Sequence, residues 1–236
     1  MEGNQGQARK RLLEAGLEEF AARGYAGASV QRIVVRAGFT KPVLYYYFGS
    51  KAGLYRALID LCFDRALERM ERAALGACDV VQALRSIAGT LFEFAGRERE
   101  LIRLLFAATS APVGELSPTV RRDQKYRRNF DFVRAVMAQG LSQGVFTGLS
   151  DEELAMGFLG HLYAAFIRQL RSPEFALDRR LGERMATLFL KGALVRGPWA
   201  RRSPGKAGKA AGAPPEGDRR PPSVWPQGKA ARRFQR

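Results

Sequence analysis

Lys41, Tyr45, Tyr46 and Lys51 fall within eleven residues of one another, in a stretch that begins ASVQRIVVRAGFTKPVLYYYF at Ala28. The chemistry such side chains can do is non-covalent recognition of an anionic polymer. A lysine in the first turn of a helix opposes the macrodipole at a cost of about 0.3 kcal/mol or more, and a phosphate or a guanine edge removes that cost. Tyr45, Tyr46, Tyr47 and Phe48 follow one another, and successive helical residues lie about 100° apart, so the four rings cannot share one core. At least one phenol must point outward, where it can bond a phosphate while its ring packs on a sugar or a thymine methyl. Val43 is the apolar member of this surface, with a thymine methyl as its natural partner.

The flanking residues predict the elements that hold these groups. Ser29 is a candidate N-cap, with Val30, Ile33, Val34 and Ala37 at helical spacing behind it. Gly38 can end that helix in the left-handed region without a Cβ penalty. Thr40 then caps a second helix, and Pro42 sits in its first turn, where a missing N–H costs little. Two short helices joined by a glycine turn read as a helix-turn-helix whose second helix can enter a DNA major groove. Lys51, at the start of the next helix, is positioned to share a phosphate with free backbone N–H groups, and Ser29 and Gln31 have the same opportunity at the start of the first.

This segment resembles the TetR family of bacterial transcriptional regulators. Phe20, Gly24 to Gly27, the Ser29–Gly38 helix, Thr40-Lys41, the run Leu44 to Phe48, and Ser50-Lys51 leading to Leu54 carry the resemblance. It covers roughly the first quarter of the chain. Val34 stands where the family usually has alanine, and Pro42 where it often has glycine, so Pro42 alters the surface facing the groove. The resemblance implies that Tyr45 faces DNA, that Tyr46 touches the backbone, and that Tyr47 and Phe48 pack beneath. It also implies a homodimer on near-palindromic double-stranded DNA, and a pocket in the C-terminal body whose small-molecule occupant releases the operator, repression being the family default.

Beyond the motif the pattern is all-α. Helix one is expected over about Gly6 to Arg23, and helix four from Lys51 to about Ala74. Five more helices are expected near Val80–Gly96, Glu98–Thr109, Ser117–Gln143, Asp151–Leu170 and Glu174–Arg196, the fourth of them opened by Ser150 and three acids. The domains expected are 5–65 for DNA binding, with the motif at 28–47, 66–196 for ligand binding and dimerisation, and 197–236 as a disordered basic tail. Leu154, Phe158, Leu162, Phe166, Met185, Leu188 and Phe189 lie at helical spacing on the last two helices and are the candidate dimer surface. Candidate pocket residues are Phe92, Phe106, Phe130, Met137, Met156 and His161.

The charge narrows the partners. The 236 residues carry a net +16, of which 197–236, with ten Lys/Arg and two acids, supplies +8. Such an excess favours nucleic acid or an anionic surface. Cys62 and Cys78 form no CxxC pair, and the sequence holds no P-loop, dinucleotide fingerprint or HExxH, so neither a metal nor a cofactor is expected. The lead MEGNQGQARKRLLEAG reads as an amphipathic helix rather than a signal peptide, and no apolar run suits a membrane span, which predicts a cytoplasmic protein. Two other readings remain. A non-specific basic nucleic-acid-binding protein would leave the patterned 28–48 segment without a purpose. A serine hydrolase would use Gly140-Leu141-Ser142-Gln143-Gly144, but that GxSxG pattern ends a helical run instead of following a strand.

Overall fold

The computed structural model describes residues 2–110 and 124–193, and every regular element among them is helical. The helices are α1 (Glu2–Gly27), α2 (Val30–Ala37), α3 (Lys41–Phe48), α4 (Lys51–Leu75), α5 (Val80–Arg97), α6 (Arg99–Ser110), α7 (Gln124–Ser142), α8 (Asp151–Arg171) and α9 (Arg179–Ala193). The expected tail at 197–236 and the expected helix start at Ser117 lie outside the described residues.

Where the elements differ from expectation, local chemistry accounts for it. Helix α1 runs past Arg23, but Gly24 leaves helical geometry at φ 68° and ψ 175°, so the regular helix does stop there. The last helix begins at Arg179 rather than Glu174. Asp178 sets that start: its carboxylate accepts from Leu181 N at 2.7 Å and its carbonyl from Gly182 N at 3.1 Å. The residues before it form a turn that buries Leu177 against α5, where a Cβ on Gly96 would come within 2.3 Å of the Leu177 carbonyl. Helix α8 opens on a capping box in which Ser150 Oγ accepts from Glu153 N and Glu153 accepts from Ser150 N. Those hydrogen bonds hold the exposed Glu153 carboxyl below its ordinary range.

One continuous apolar core runs from Leu12 to Leu190. Helix α5 is its axis, packed mainly against α4 on one side and α9 on the other. Its contact with α9 is close because Gly182 faces Ala88 and Gly89: a Cβ on Gly182 would lie 2.4 Å from the Ala88 carbonyl. Helix α4 crosses the expected 65/66 boundary without a break, with Leu54 and Leu58 buried toward α1 and Leu67, Met70 and Ala74 toward the C-terminal helices. Phe20, Tyr25 and Tyr55 add an aromatic joint between α1 and α4, with Phe20–Tyr55 centroids 4.9 Å apart. Tyr55 is buried, its hydroxyl donates to Leu104 O, and burial pushes its pKa up to about 12. The helix-turn-helix is therefore welded to the body through α4 and α6.

Candidate DNA-reading face and ligand cavity

Helix α3 buries only Leu44 of its eight residues. Val43, Tyr47 and Phe48 are half-buried, while Lys41, Pro42, Tyr45 and Tyr46 lie in the open, Tyr46 at 77% of its full exposure. Tyr47 stacks edge-on with Tyr46 at 5.1 Å and continues inward to Phe48. Packing explains the inner rings and leaves the two outer phenols unexplained. Lys41 makes no ion pair among the described residues. The turn that delivers α3 is rigid: Gly38 is left-handed at φ 73°, and Phe39 N donates to Val34 O at 2.8 Å.

Ser29 and Thr40 occupy the cap positions with extended backbone, yet neither hydroxyl makes a capping hydrogen bond. At α2 the buried Glu19 does part of this work. Its Oε1 accepts from Ser29 N at 3.1 Å and from Arg32 Nε at 2.7 Å, and Arg32 Nη2 also reaches Gly27 O at 2.8 Å. The Arg32 guanidinium foremost, then the Ser29 N–H, hold the Glu19 carboxyl below its ordinary range against the effect of burial. Ser29 is half-buried and Gln31 is exposed.

Lys51 is a difference from expectation. Its ammonium turns inward, donating to Tyr25 O at 2.9 Å and Ala28 O at 3.1 Å, and lies 4.7 Å from the Tyr25 ring centroid. The end of α1 presents unpaired carbonyls that need a donor, and a lysine at the start of α4 is near enough to supply three. Its charge is thus committed to joining α1 to α4 rather than held out toward solvent.

In the body, α4 to α8 enclose a cavity of about 870 Å³. Ile59, Phe63, Met70, Leu91, Phe94 and Ile102 give its apolar walls, and among the described residues no lysine, arginine, aspartate or glutamate lines it. Asn129 supplies an amide, already donating to Phe63 O at 3.1 Å. Of the expected pocket residues, Phe106, Phe130 and Met156 line this space. Phe92 and Met137 are fully buried in the core beside it, because α5 and α7 turn them toward neighbouring helices instead. His161 also lies off the cavity, with its buried Nε2 unpartnered among the described residues. Cys62 is a lining residue that spacing alone did not select; burial raises its pKa to about 12, which leaves it a thiol.

The expected pairing surface also divides. Leu154, Phe158 and Leu162 are buried within the protomer, since these positions of α8 face the helices beneath. Phe166, Met185 and Phe189 are half-buried, and Leu188 is 60% exposed. The outward apolar stripe of α8 is instead Met156, Gly160, Tyr163 and Ile167, spaced four, three and four. Helical periodicity identified the helix but could not say which of two apolar faces was already covered. Ser142, the centre of the GxSxG pattern, ends α7 with its hydroxyl donating to Gln139 O at 2.8 Å, so a helix and not a strand leads into it.

A helix-turn-helix packed on α1 and α4 ahead of an all-α body is the architecture that the described residues define. Residues 12–58 of the chain match the model for bacterial regulatory proteins of the tetR family. Among its relatives is an uncharacterized HTH-type transcriptional regulator, YdgC, of Bacillus subtilis, 35% identical over 104 residues, which are 42% of this chain and 53% of the relative. The chain spans about half the length of the curated relatives it first matches. In fold it is similar to a fatty acid degradation regulator, FadR, of Bacillus halodurans (TM-score 0.71, 18% identity, 78% of this chain and 95% of that one). FadR of Bacillus subtilis in complex with stearoyl-CoA is similar too (TM-score 0.66, 18% identity, 78% and 98%).

Proposed function

We propose that this chain is a sequence-specific, DNA-binding transcriptional regulator, a repressor that leaves its operator when a small apolar molecule fills the body cavity. The observation that carries the reading is α3, a helix that leaves Lys41, Pro42, Tyr45 and Tyr46 exposed while Leu44, with the half-buried Val43, Tyr47 and Phe48, anchors it. In this reading Lys41, Thr40 and Tyr45 read base edges, Val43 meets a thymine methyl, and Tyr46, Ser29 and Gln31 hold phosphates. Lys51 acts indirectly, by fixing the start of α4 where its free N–H groups can approach the backbone.

Two such heads on one near-palindromic site supply the specificity that one lacks. The apolar stripe of α8, with Leu188, Met185 and Phe189 of α9, is the proposed pairing surface of a homodimer. Helix α4 supports the switch: it begins beside α3 and lines the cavity from Ile59 to Met70, so an occupant that moves α4 moves the reading head. The apolar walls that the described residues give the cavity suit an apolar chain, and stearoyl-CoA held by a protein of similar fold points the same way. Ser142 has no catalytic task here, and the protein works in the cytoplasm; no described helix is long and apolar enough to cross a membrane.

The test is fluorescence anisotropy of the full chain on a duplex recovered by selection from random sequence, against a shuffled duplex at about physiological salt. A specific-to-shuffled ratio of about 10³ or more supports the reading. Equal affinity for the two, with no sequence enriched by the selection, overturns it in favour of a non-specific basic binder.

A further inference from the structure

Arg9 and Arg11, on the first turns of α1, are absent from the site built above. Both are exposed. Arg9 lies with its guanidinium carbon 5.6 Å from the ring centroid of Phe48, at the end of α3. Arg11 lies 5.2 Å from the ring of Phe39, in the turn that leads into α3, and its Nη2 is 2.9 Å from where a Cβ on Gly38 would stand. The two guanidinium groups therefore rest at opposite ends of the reading helix. Neither makes an ion pair among the described residues. Their neighbours differ: Lys10 faces Glu14 at 3.8 Å, Arg23 faces Glu19 at 3.7 Å, and Arg36 faces Glu18 at 3.1 Å.

A ring face attracts a guanidinium but does not neutralise it, and it leaves the planar N–H fork free. It also holds the long side chain in place, which lowers the ordering cost of engaging a second partner. Two immobilised, uncompensated forks flanking a helix that enters a groove are suited to phosphate oxygens.

We propose that Arg9 and Arg11 form a phosphate clamp, each guanidinium taking one backbone phosphate at either end of the groove segment that α3 reads. The proposal rests on the DNA-binding reading and adds to it a backbone contact from α1, outside the helix-turn-helix. The clamp contributes affinity and register and carries no sequence information.

The experiment titrates the full chain and its R9Q/R11Q variant onto the selected and the shuffled duplex between about 50 and 200 mM salt. Each lost phosphate contact lowers the slope of log K against log salt by about 0.9, so the double variant loses about 1.8 on both duplexes. The specific-to-shuffled ratio holds. A charge-preserving R9K/R11K variant retains the wild-type slope, which separates loss of charge from loss of packing, and the far-UV spectrum and Tm of each variant are recorded alongside. A wild-type slope in a folded R9Q/R11Q protein overturns the clamp. So does a slope that falls as far in R9K/R11K as in R9Q/R11Q. If the wild-type chain itself shows no sequence preference, the regulator reading fails instead, and that result is read from the wild-type isotherms alone.

Discussion

At the scale of single residues, the same kind of side chain serves two ends depending on what lies within reach. Lys41 and Lys51 are ten positions apart, and each occupies the first residue of a helix. Lys41 makes no ion pair among the described residues and is exposed; Lys51 is drawn in by the carbonyls of Tyr25 and Ala28. Their alanine variants are therefore expected to diverge. Lys41→Ala loses about 1–3 kcal/mol of discrimination at one base position and leaves Tm unchanged, as binding to single-substituted duplexes and a thermal melt will report. Lys51→Ala removes donors from carbonyls at the end of α1 and lowers stability by about 1–3 kcal/mol, measured by urea unfolding. Glu19 makes the third case. Its carboxyl is held below its ordinary range by Arg32 and Ser29, so its contribution is present above that range and is lost as pH falls through the lowered value. Glu19→Gln is expected to lower stability near pH 7 and to flatten the loss of Tm on acidification. An acid limb as steep as that of the wild type would count against this assignment.

At the scale of elements, α5 and α9 show how a helix pair can depend on one missing side chain. Gly182 lets the two backbones meet, with the space for a Cβ already filled by the Ala88 carbonyl and the Gly89 Cα. Backbone cannot rotate aside as a side chain can, so Gly182→Val forces the helices apart and is expected to cost more than about 3 kcal/mol in chemical unfolding. The cavity predicts the opposite behaviour for a substitution on α4. Ala66 lines it, and Ala66→Phe places new atoms in empty space, so its cost is expected to stay below about 1 kcal/mol, where a packed core would lose about 1–3. The same variant occupies the proposed ligand site and is expected to blunt release from the operator by an apolar ligand, with DNA affinity intact.

At the scale of the whole molecule, α4 is the element that touches every proposed task. It begins at Lys51 beside α3 and ends about 36 Å away at Leu75, lining the cavity along the middle of that length. The pairing surface shares residues with the cavity as well: Met156, Gly160 and Tyr163 belong both to its lining and to the outward stripe of α8. The proposed ligand, partner and DNA surfaces then lie on one connected set of packed helices, which can carry a coupling free energy between them. Leu188 is exposed and lies on the proposed pairing face of α9. Leu188→Glu is expected to convert a dimer to monomers in sedimentation at micromolar concentration, without unfolding them, and to weaken operator binding at the same concentration. A dimer that persists in this variant would put the pairing surface elsewhere.

Much of this was legible in the residues themselves. Caps, glycines and helical periodicity specify the order of helices, because hydrogen-bonding demand and backbone sterics act over three or four neighbours. The outward phenols of α3 were legible for the same reason: four consecutive aromatics on a helix cannot all be buried. Assignments that depend on which side of a helix is already covered were not legible. Leu154, Phe158 and Leu162 share the apolar periodicity of a pairing face, and only the helices packed against them make them core. Phe92 and Met137 are as apolar as Phe106 and Phe130, and only the packing of α4 to α8 decides which two border a cavity. Lys51 and the α1 carbonyls are 23 to 26 residues apart, as Arg9 and Phe48 are 39 apart, and side chains so separated meet only when tertiary packing closes the intervening loop. The sequence by itself determined the elements and the chemistry they carry; the tertiary structure decided which surface each side chain faces, because burial belongs to the packed whole and not to any stretch of chain.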